Sequence, residues 1–336
     1  MDEYFNEILS SIYEIADNSS EHFFEWYDKI VKAIQNGLSQ IDIDMEQFCI
    51  YPIGEYDCGT NLEELVPFKV VLEYTCEKSK IIQRIKYLEL QKKKKVSLKN
   101  KIIMESMQPV VDNSVLTNSE ISRMVESYIK KLDIEDVATT VKQNSVFVKI
   151  TEGEKVYNYV IIIAYKFINE VEQLDNNTKL QDTQLDNVNQ ETSAVNQNII
   201  FKYKAKNYEI NYTKYYQLFD EKNKETNGRY MDMVMLFKYM EFDLILNEKI
   251  NYKTFTEFNL YEDLLYNVPN ELFTNSLNES IINCANYLYN ININDIKTVE
   301  GKKMVNEKSD IQQQKKIKEY LSNTITEFYK QFDYMN

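Results

Sequence analysis

The stretch from Ile50 to Tyr74 constrains the fold of this chain more than any other. A short strand over Gln47–Tyr51 is followed by a turn at Gly54, a loop holding Gly59-Thr60-Asn61, and a second strand over Phe68–Tyr74. Glycine supplies the backbone freedom that a tight turn after a strand demands. The β-branched and aromatic residues of Phe68–Tyr74 suit a central strand. A sheet must therefore begin early in the chain, and the later segments must cover it.

Those segments divide by period. Phe5, Ile8, Leu9, Ile12 and Ile15 recur at helical spacing, as do Phe23, Phe24, Trp26, Tyr27, Ile30, Val31 and Ile34, with Gly37 as a stop. His22, the chain's one histidine, is expected at the surface or in a cap. Ile81–Asn100 and Ser119–Leu132 read as further helices, the second capped by Ser119 or Asn118. The run Lys92–Lys95 is a solvated face or an electrostatic contact for phosphate or RNA. Ser145–Ile150 and Val156–Phe167 form a strand pair around Glu152-Gly153-Glu154, with Val160–Ile163 as a buried strand. Ile199–Ile210 reads as a hairpin turning at Lys206-Asn207. From Thr213 the chain is helical, with helices over Tyr230–Phe242, Thr256–Tyr266, Leu272–Tyr289 and Gln312–Phe332. Residues 169–197, dense in Asn, Gln, Asp and Thr, break the pattern and read as a flexible insertion.

Charge and cysteine usage narrow the function classes. A net charge of −14 disfavours non-specific nucleic-acid binding by the whole surface, DNA included. Cys49, Cys58, Cys76 and Cys284 make no CxxC pair, and with a single His they argue against a zinc site and for a reduced, cytoplasmic protein. The acidic, amphipathic start is unlike a signal peptide, and the longest apolar run, Tyr159–Tyr165, is too short to span a bilayer, so no membrane association is expected.

Three stretches in the second half carry a family resemblance: Asn211–Tyr216, Asn223–Tyr230 and Leu236–Tyr239, followed by Tyr261-Glu262-Asp263-Leu264-Leu265-Tyr266-Asn267-Val268-Pro269. In this order they resemble the bacterial nucleotidyltransferases related to cyclic GMP-AMP synthase and oligoadenylate synthetase, the CD-NTases. The resemblance implies an α+β, two-lobed nucleotidyltransferase-like fold: a mixed sheet with flanking helices over residues 1–210, and a helical C-terminal lobe over 211–336. It also implies that Gly54, Glu55, Thr60 and Asn61 lie where the family's turn meets a nucleotide, and that Lys238 matches a phosphate-contacting lysine. A solvent-facing lysine on an amphipathic helix is the other reading of Lys238. Thr226 and Asn223 are read as turn and cap residues.

The chain departs from the family where the chemistry is carried. Glu55 replaces the turn's serine and would repel phosphate. The two acids of the family's Asp-x-Asp fall near Pro67 and Lys69, and no register of this strand supplies two acids two residues apart. Residues i and i+2 of a strand share a face, so such a pair can jointly hold Mg²⁺ through oxygen ligands. The third acid belongs to the strand Tyr157–Tyr165, which offers Asn158, Tyr159 and Val160. The expectation is a catalytically degenerate protein with no catalytic residue and no cofactor. It would act by binding a protein, nucleotide or RNA partner, in a bacterial defence or signalling setting. The alternative is an active enzyme making cyclic or linear oligonucleotides from nucleoside triphosphates with Mg²⁺.

Overall fold

A computed structural model describes residues 1–41, 43–54, 67–92, 115–132, 136–142, 145–168, 198–203, 206–249, 259–292, 295–303, and parts of 322–330. Its described residues divide into two compact units. One gathers Met1–Glu25, Pro52–Phe68 and Tyr212–Asn336; the other gathers Trp26–Tyr51 and Lys69–Asn211. The front of the chain is shared between the units.

The sheet unit is built on seven strands: β1 (Phe48–Ile53), β2 (Phe68–Glu77), β3 (Val137–Lys142), β4 (Ser145–Glu152), β5 (Lys155–Ile168), β6 (Ile199–Tyr203) and β7 (Lys206–Ile210). Their order is β1-β2-β5-β4-β3, with β6 joining β5 to β7. β5 is the spine. Ser145–Glu152 of β4 pair antiparallel with Ile162–Lys155, and Ile199–Phe201 of β6 pair antiparallel with Lys166–Ala164. Gly153 takes φ +61° in the tight turn between β4 and β5, as its position predicts. Val70, Val71, Leu72 and Tyr159–Ala164 are buried, which makes β2 and β5 interior strands with apolar residues on both faces.

Helix α1 (Asp2–Leu38) is continuous, where the sequence pattern suggests more than one helix. In the sheet unit it buries Trp26, Ile30, Ile34 and Leu38, one per turn. Gly37 is not its stop, since the helix runs to Leu38. A Cβ at Gly37 would lie 2.3 Å from the Tyr128 ring, so the glycine is a slot for that ring. Helix α2 (Lys78–Lys92) follows β2 directly, and its Arg84 donates to Glu120 at 2.9 Å on α3 (Asn118–Ile129). The cap of α3 is Thr117, one residue before the expected Asn118 or Ser119. Glu120 is the reason: Thr117 accepts the Glu120 N–H while the Glu120 carboxylate accepts the Thr117 N–H at 2.9 Å, a reciprocal box that no other residue in the turn can close. The hairpin β6–β7 also differs from expectation. Lys202 pairs with Asn207 and Tyr203 with Lys206, so Lys206-Asn207 lie inside β7 and not in the turn.

The helical unit is centred on α5 (Arg229–Leu246), whose buried residues include Tyr230, Met233, Val234, Leu236, Phe237, Met240 and Leu244. A helix buried on so many sides is the core of its bundle. Around it pack α4 (Tyr212–Glu225), α6 (Leu260–Tyr266) and α7 (Leu277–Asn290). The expected helix over Leu272–Tyr289 is a 3-10 turn at Asn270–Leu272 followed by α7. The first turn of α7 holds both Asp2, which accepts from Ser276 Oγ and the Asn278 N–H, and Tyr329, which donates to Asn278 Oδ1 at 2.7 Å. The insertion at 169–197, the lysine run beyond Lys92, the start of the Thr256–Tyr266 helix and most of Gln312–Phe332 lie outside the described residues. The side chain of His22 lies outside them as well. Cys49, Cys76 and Cys284 are free thiols, and no described helix is long and apolar enough to cross a membrane.

Candidate functional site

The front turn is described only at its start. Gly54 follows β1 at φ +79°, a conformation that requires glycine or strains any other residue. Glu55, Thr60 and Asn61 lie outside the described residues, as do Asp57, Glu63 and Glu64.

The strand that should carry metal ligands is described in full. Lys69, Val71 and Glu73 share one face of β2, and β5 is its direct neighbour, as the resemblance expects. That face carries a lysine where the family pattern places an acid. Lys69 is 1% exposed. Glu73, 8% exposed, is already engaged from both sides. Its Oε2 accepts the Tyr51 hydroxyl of β1 at 2.7 Å, and its Oε1 lies 3.5 Å from Lys166 Nζ of β5. One carboxylate spent on a tyrosine and a lysine does not make a site for Mg²⁺, which needs several oxygen ligands in octahedral array. Among the described residues, no group of three or more His, Cys, Asp or Glu side chains is placed to hold a metal ion.

The helical unit places the remaining candidates. Asn223 to Gly228 form the turn into α5. Gly228 takes φ +85°, Thr226 Oγ1 accepts the Tyr230 N–H at 3.0 Å, and Asn223 Oδ1 accepts the Met231 N–H at 3.0 Å. These two side chains satisfy helix donors that α5 leaves open, which is the turn and cap role read from the sequence. Lys238 is neither solvent-facing nor on an open surface of its unit. It is 1% exposed, and its ammonium donates to Glu262 Oε1 of α6 at 2.6 Å, with Glu262 itself 0% exposed. Tyr230 Oη donates to the Glu262 carbonyl and Tyr261 Oη to Glu241 Oε2, both at 2.7 Å. The acidic segment Tyr261–Pro269 thus faces inward. Burial raises the Asp263 carboxyl well above its ordinary range, with Glu262 and Glu300 adding to the shift and the Val299 N–H opposing it. Asp263 Oδ1 accepts that N–H at 2.9 Å, and Asn267 bonds both the N–H and the carbonyl of Lys297. Val268 offers its carbonyl to the Lys222 ammonium, which also lies over the Tyr266 and Phe273 rings at 5.5 and 5.3 Å. Sequence reasoning missed the buried pairing of Lys238 with Glu262. Its only signal was an acid in the family segment and a lysine in a helix with apolar residues on several sides.

Residues 217–330 match the family model described as the cGAS/DncV-like nucleotidyltransferase C-terminal helical domain. Curated proteins give no match. Among solved structures, the chain is similar to the Rhodothermus marinus CdnE c-UMP-AMP synthase, at 15% identity and TM-score 0.54, over 89% of this chain and 90% of that one. It is similar to the Elizabethkingia meningoseptica CdnE cyclic dinucleotide synthase at 14% identity and TM-score 0.54, over 92% of each chain. A STING-associated CdnE c-di-GMP synthase from Capnocytophaga granulosa matches at 15% identity and TM-score 0.53, over 96% of this chain and 83% of that one. Identities this low speak for the fold alone. With its mixed sheet, flanking helices and matching C-terminal helical domain, the chain has a CD-NTase-like nucleotidyltransferase fold.

Proposed function

We propose that this chain is a catalytically degenerate nucleotidyltransferase-like protein that acts by binding a nucleotide, RNA or protein partner. The observation that carries the reading is the make-up of β2. Lys69 stands where a metal-holding carboxylate belongs, and Glu73 is held by Tyr51 and Lys166. Nucleotidyl transfer on this fold needs metals to activate the attacking hydroxyl and to stabilise the leaving pyrophosphate, and an ammonium does neither. The engagement of Lys238 by Glu262 supports the same reading, because a phosphate-contacting lysine needs a free ammonium. By fold analogy, the likeness to a STING-associated CdnE synthase supports a bacterial signalling or defence setting.

Incubation of the purified chain with labelled nucleoside triphosphates and Mg²⁺ or Mn²⁺ tests this. No pyrophosphate above background is expected. Robust release that is lost on substitution of Glu63 or Glu64 would overturn the reading and make the chain an active nucleotidyltransferase.

A further inference from the structure

The main path of the sheet ends at β1 and β3. A strand at such an end shows a row of backbone donors and acceptors that another strand can take up. β1 carries Pro52, which has no N–H to offer. β3 carries no proline, and its Val137–Lys142 pair with Ile150–Ser145 of β4 without a bulge. Among the described residues, no strand pairs with the outer side of β3.

The ladder decides which groups of β3 face outward. The Thr151 N–H donates to the Asp136 carbonyl at 3.0 Å, and these two residues continue the register that sets Val137 against Ile150. Facing residues of an antiparallel pair alternate between bonded and non-bonded. Asp136, Ala138, Thr140 and Lys142 therefore bond to β4, while Val137, Thr139 and Val141 turn their N–H and C=O groups outward. Side chains alternate as well. Val137, Thr139 and Val141 are half-buried on the side of α3, where Thr139 Oγ1 donates to Glu126 at 3.4 Å. Ala138, Thr140, Lys142 and also Asp136 are exposed.

We propose that β3 is the pairing edge for a second copy of this chain, antiparallel and related by a two-fold axis at Thr139. In that register every outward residue exchanges backbone bonds: Val137 with Val141 of the second copy, and Thr139 with Thr139. A slip by one residue sets outward groups against groups already bonded to β4, and a slip by two leaves Val137 or Val141 beyond the ladder. The same register places Asp136 of each copy opposite Lys142 of the other. This is a non-bonded position, where facing Cα atoms come within about 4.5 Å, and opposite charges so placed stabilise a strand pair. An isologous contact of this kind closes as a dimer. A single strand edge is short against the standard interface of about 1,200–2,000 Å², so the dimer is reversible. Such pairing is independent of whether the chain transfers nucleotides.

Sedimentation velocity of the full chain over a range of concentrations, at low salt where exposed charges are least screened, tests this. A monomer–dimer equilibrium is expected. Asp136→Lys or Lys142→Asp alone sets like charges opposite each other and is expected to weaken the dimer about tenfold. The two changes together reverse the pairs and restore it. Thr139→Pro removes the central outward N–H and no bond to β4, and is expected to leave a monomer with the parent's circular dichroism. A dimer that persists in a folded Thr139→Pro variant, that ignores either single charge change, or that the double change does not recover lies elsewhere on the surface and overturns the inference. If Thr139→Pro does not fold, the charge variants decide alone. A monomer at every concentration also overturns it, and leaves the edge to a strand from another protein.

Discussion

Replacing Lys238 by Met gives the sharpest test of how the helical unit is held. The ammonium and the Glu262 carboxylate meet at 2.6 Å with 1% and 0% of their side chains exposed. Removing one member of so buried a pair leaves the other charge buried without this partner, which costs about 3–5 kcal/mol. In a unit of this size that lowers Tm by about 6–20 °C. The companion variant Lys238→Met with Glu262→Met removes both charges and fills the space with apolar atoms, so it should melt within about 1–2 kcal/mol of the parent. Urea and thermal melts of the four proteins in the cycle, with nucleotide titrations alongside, separate structure from recognition. If Lys238→Met leaves the melt within about 1 kcal/mol of the parent yet abolishes a nucleotide-induced shift, the pair is not structural and the lysine is a phosphate contact after all.

Three further outcomes are expected. Tyr51→Phe removes the hydroxyl that Glu73 Oε2 accepts, and should lower stability by about 1.5–3 kcal/mol in a urea melt, as loss of a bond to a charged group does. Asp263→Asn should remove a pH dependence. A carboxyl whose folded pKa is raised favours folding below its ordinary pKa, about 4, and that contribution is lost as pH rises toward the folded value. Melts taken from acid to neutral pH should therefore show the variant gaining on the parent as pH rises, and parallel curves would contradict the burial argument. Gly37→Ala puts a methyl group into the Tyr128 ring and should cost about 1–3 kcal/mol in a thermal melt, against a gain from helix propensity alone if the slot is unimportant.

Much of this architecture was legible from local chemistry. The strands around Gly54 and Gly153 announced themselves because a glycine after an apolar, β-branched run marks a turn, and both glycines take a positive φ. The turn into α5 was legible for a similar reason: Asn223, Thr226 and Gly228 each serve a helix start in a known way. Strand β3 escaped notice because Val137–Lys142 is short, rich in threonine and only half-buried on one face, so its membership of the sheet depends on β4. The cap of α3 was misplaced by one residue because the choice among Thr117, Asn118 and Ser119 depends on Glu120 three residues after the first. The fate of Lys238 was beyond local reasoning. Its partner is 24 residues away on another helix, and only the packing of α5 against α6 brings them together. The same holds for Glu73, whose neighbours belong to β1 and β5.

The role of β5 as spine also sets an order of assembly. Its pairing with β4 closes across a two-residue turn at Gly153-Glu154, a local event with the microsecond timescale of about 1–10 μs that hairpins show. Its pairing with β2 must wait for α2, α3, β3 and β4 to be threaded between them in sequence, and long loops of this kind slow the search for contacts. The strand bearing Lys69 and Glu73 is therefore expected to pair with β5 after the β4–β5 hairpin has closed. A nascent chain can hold a finished β4–β5 hairpin while the part of the sheet built from β1, β2 and β5 does not yet exist.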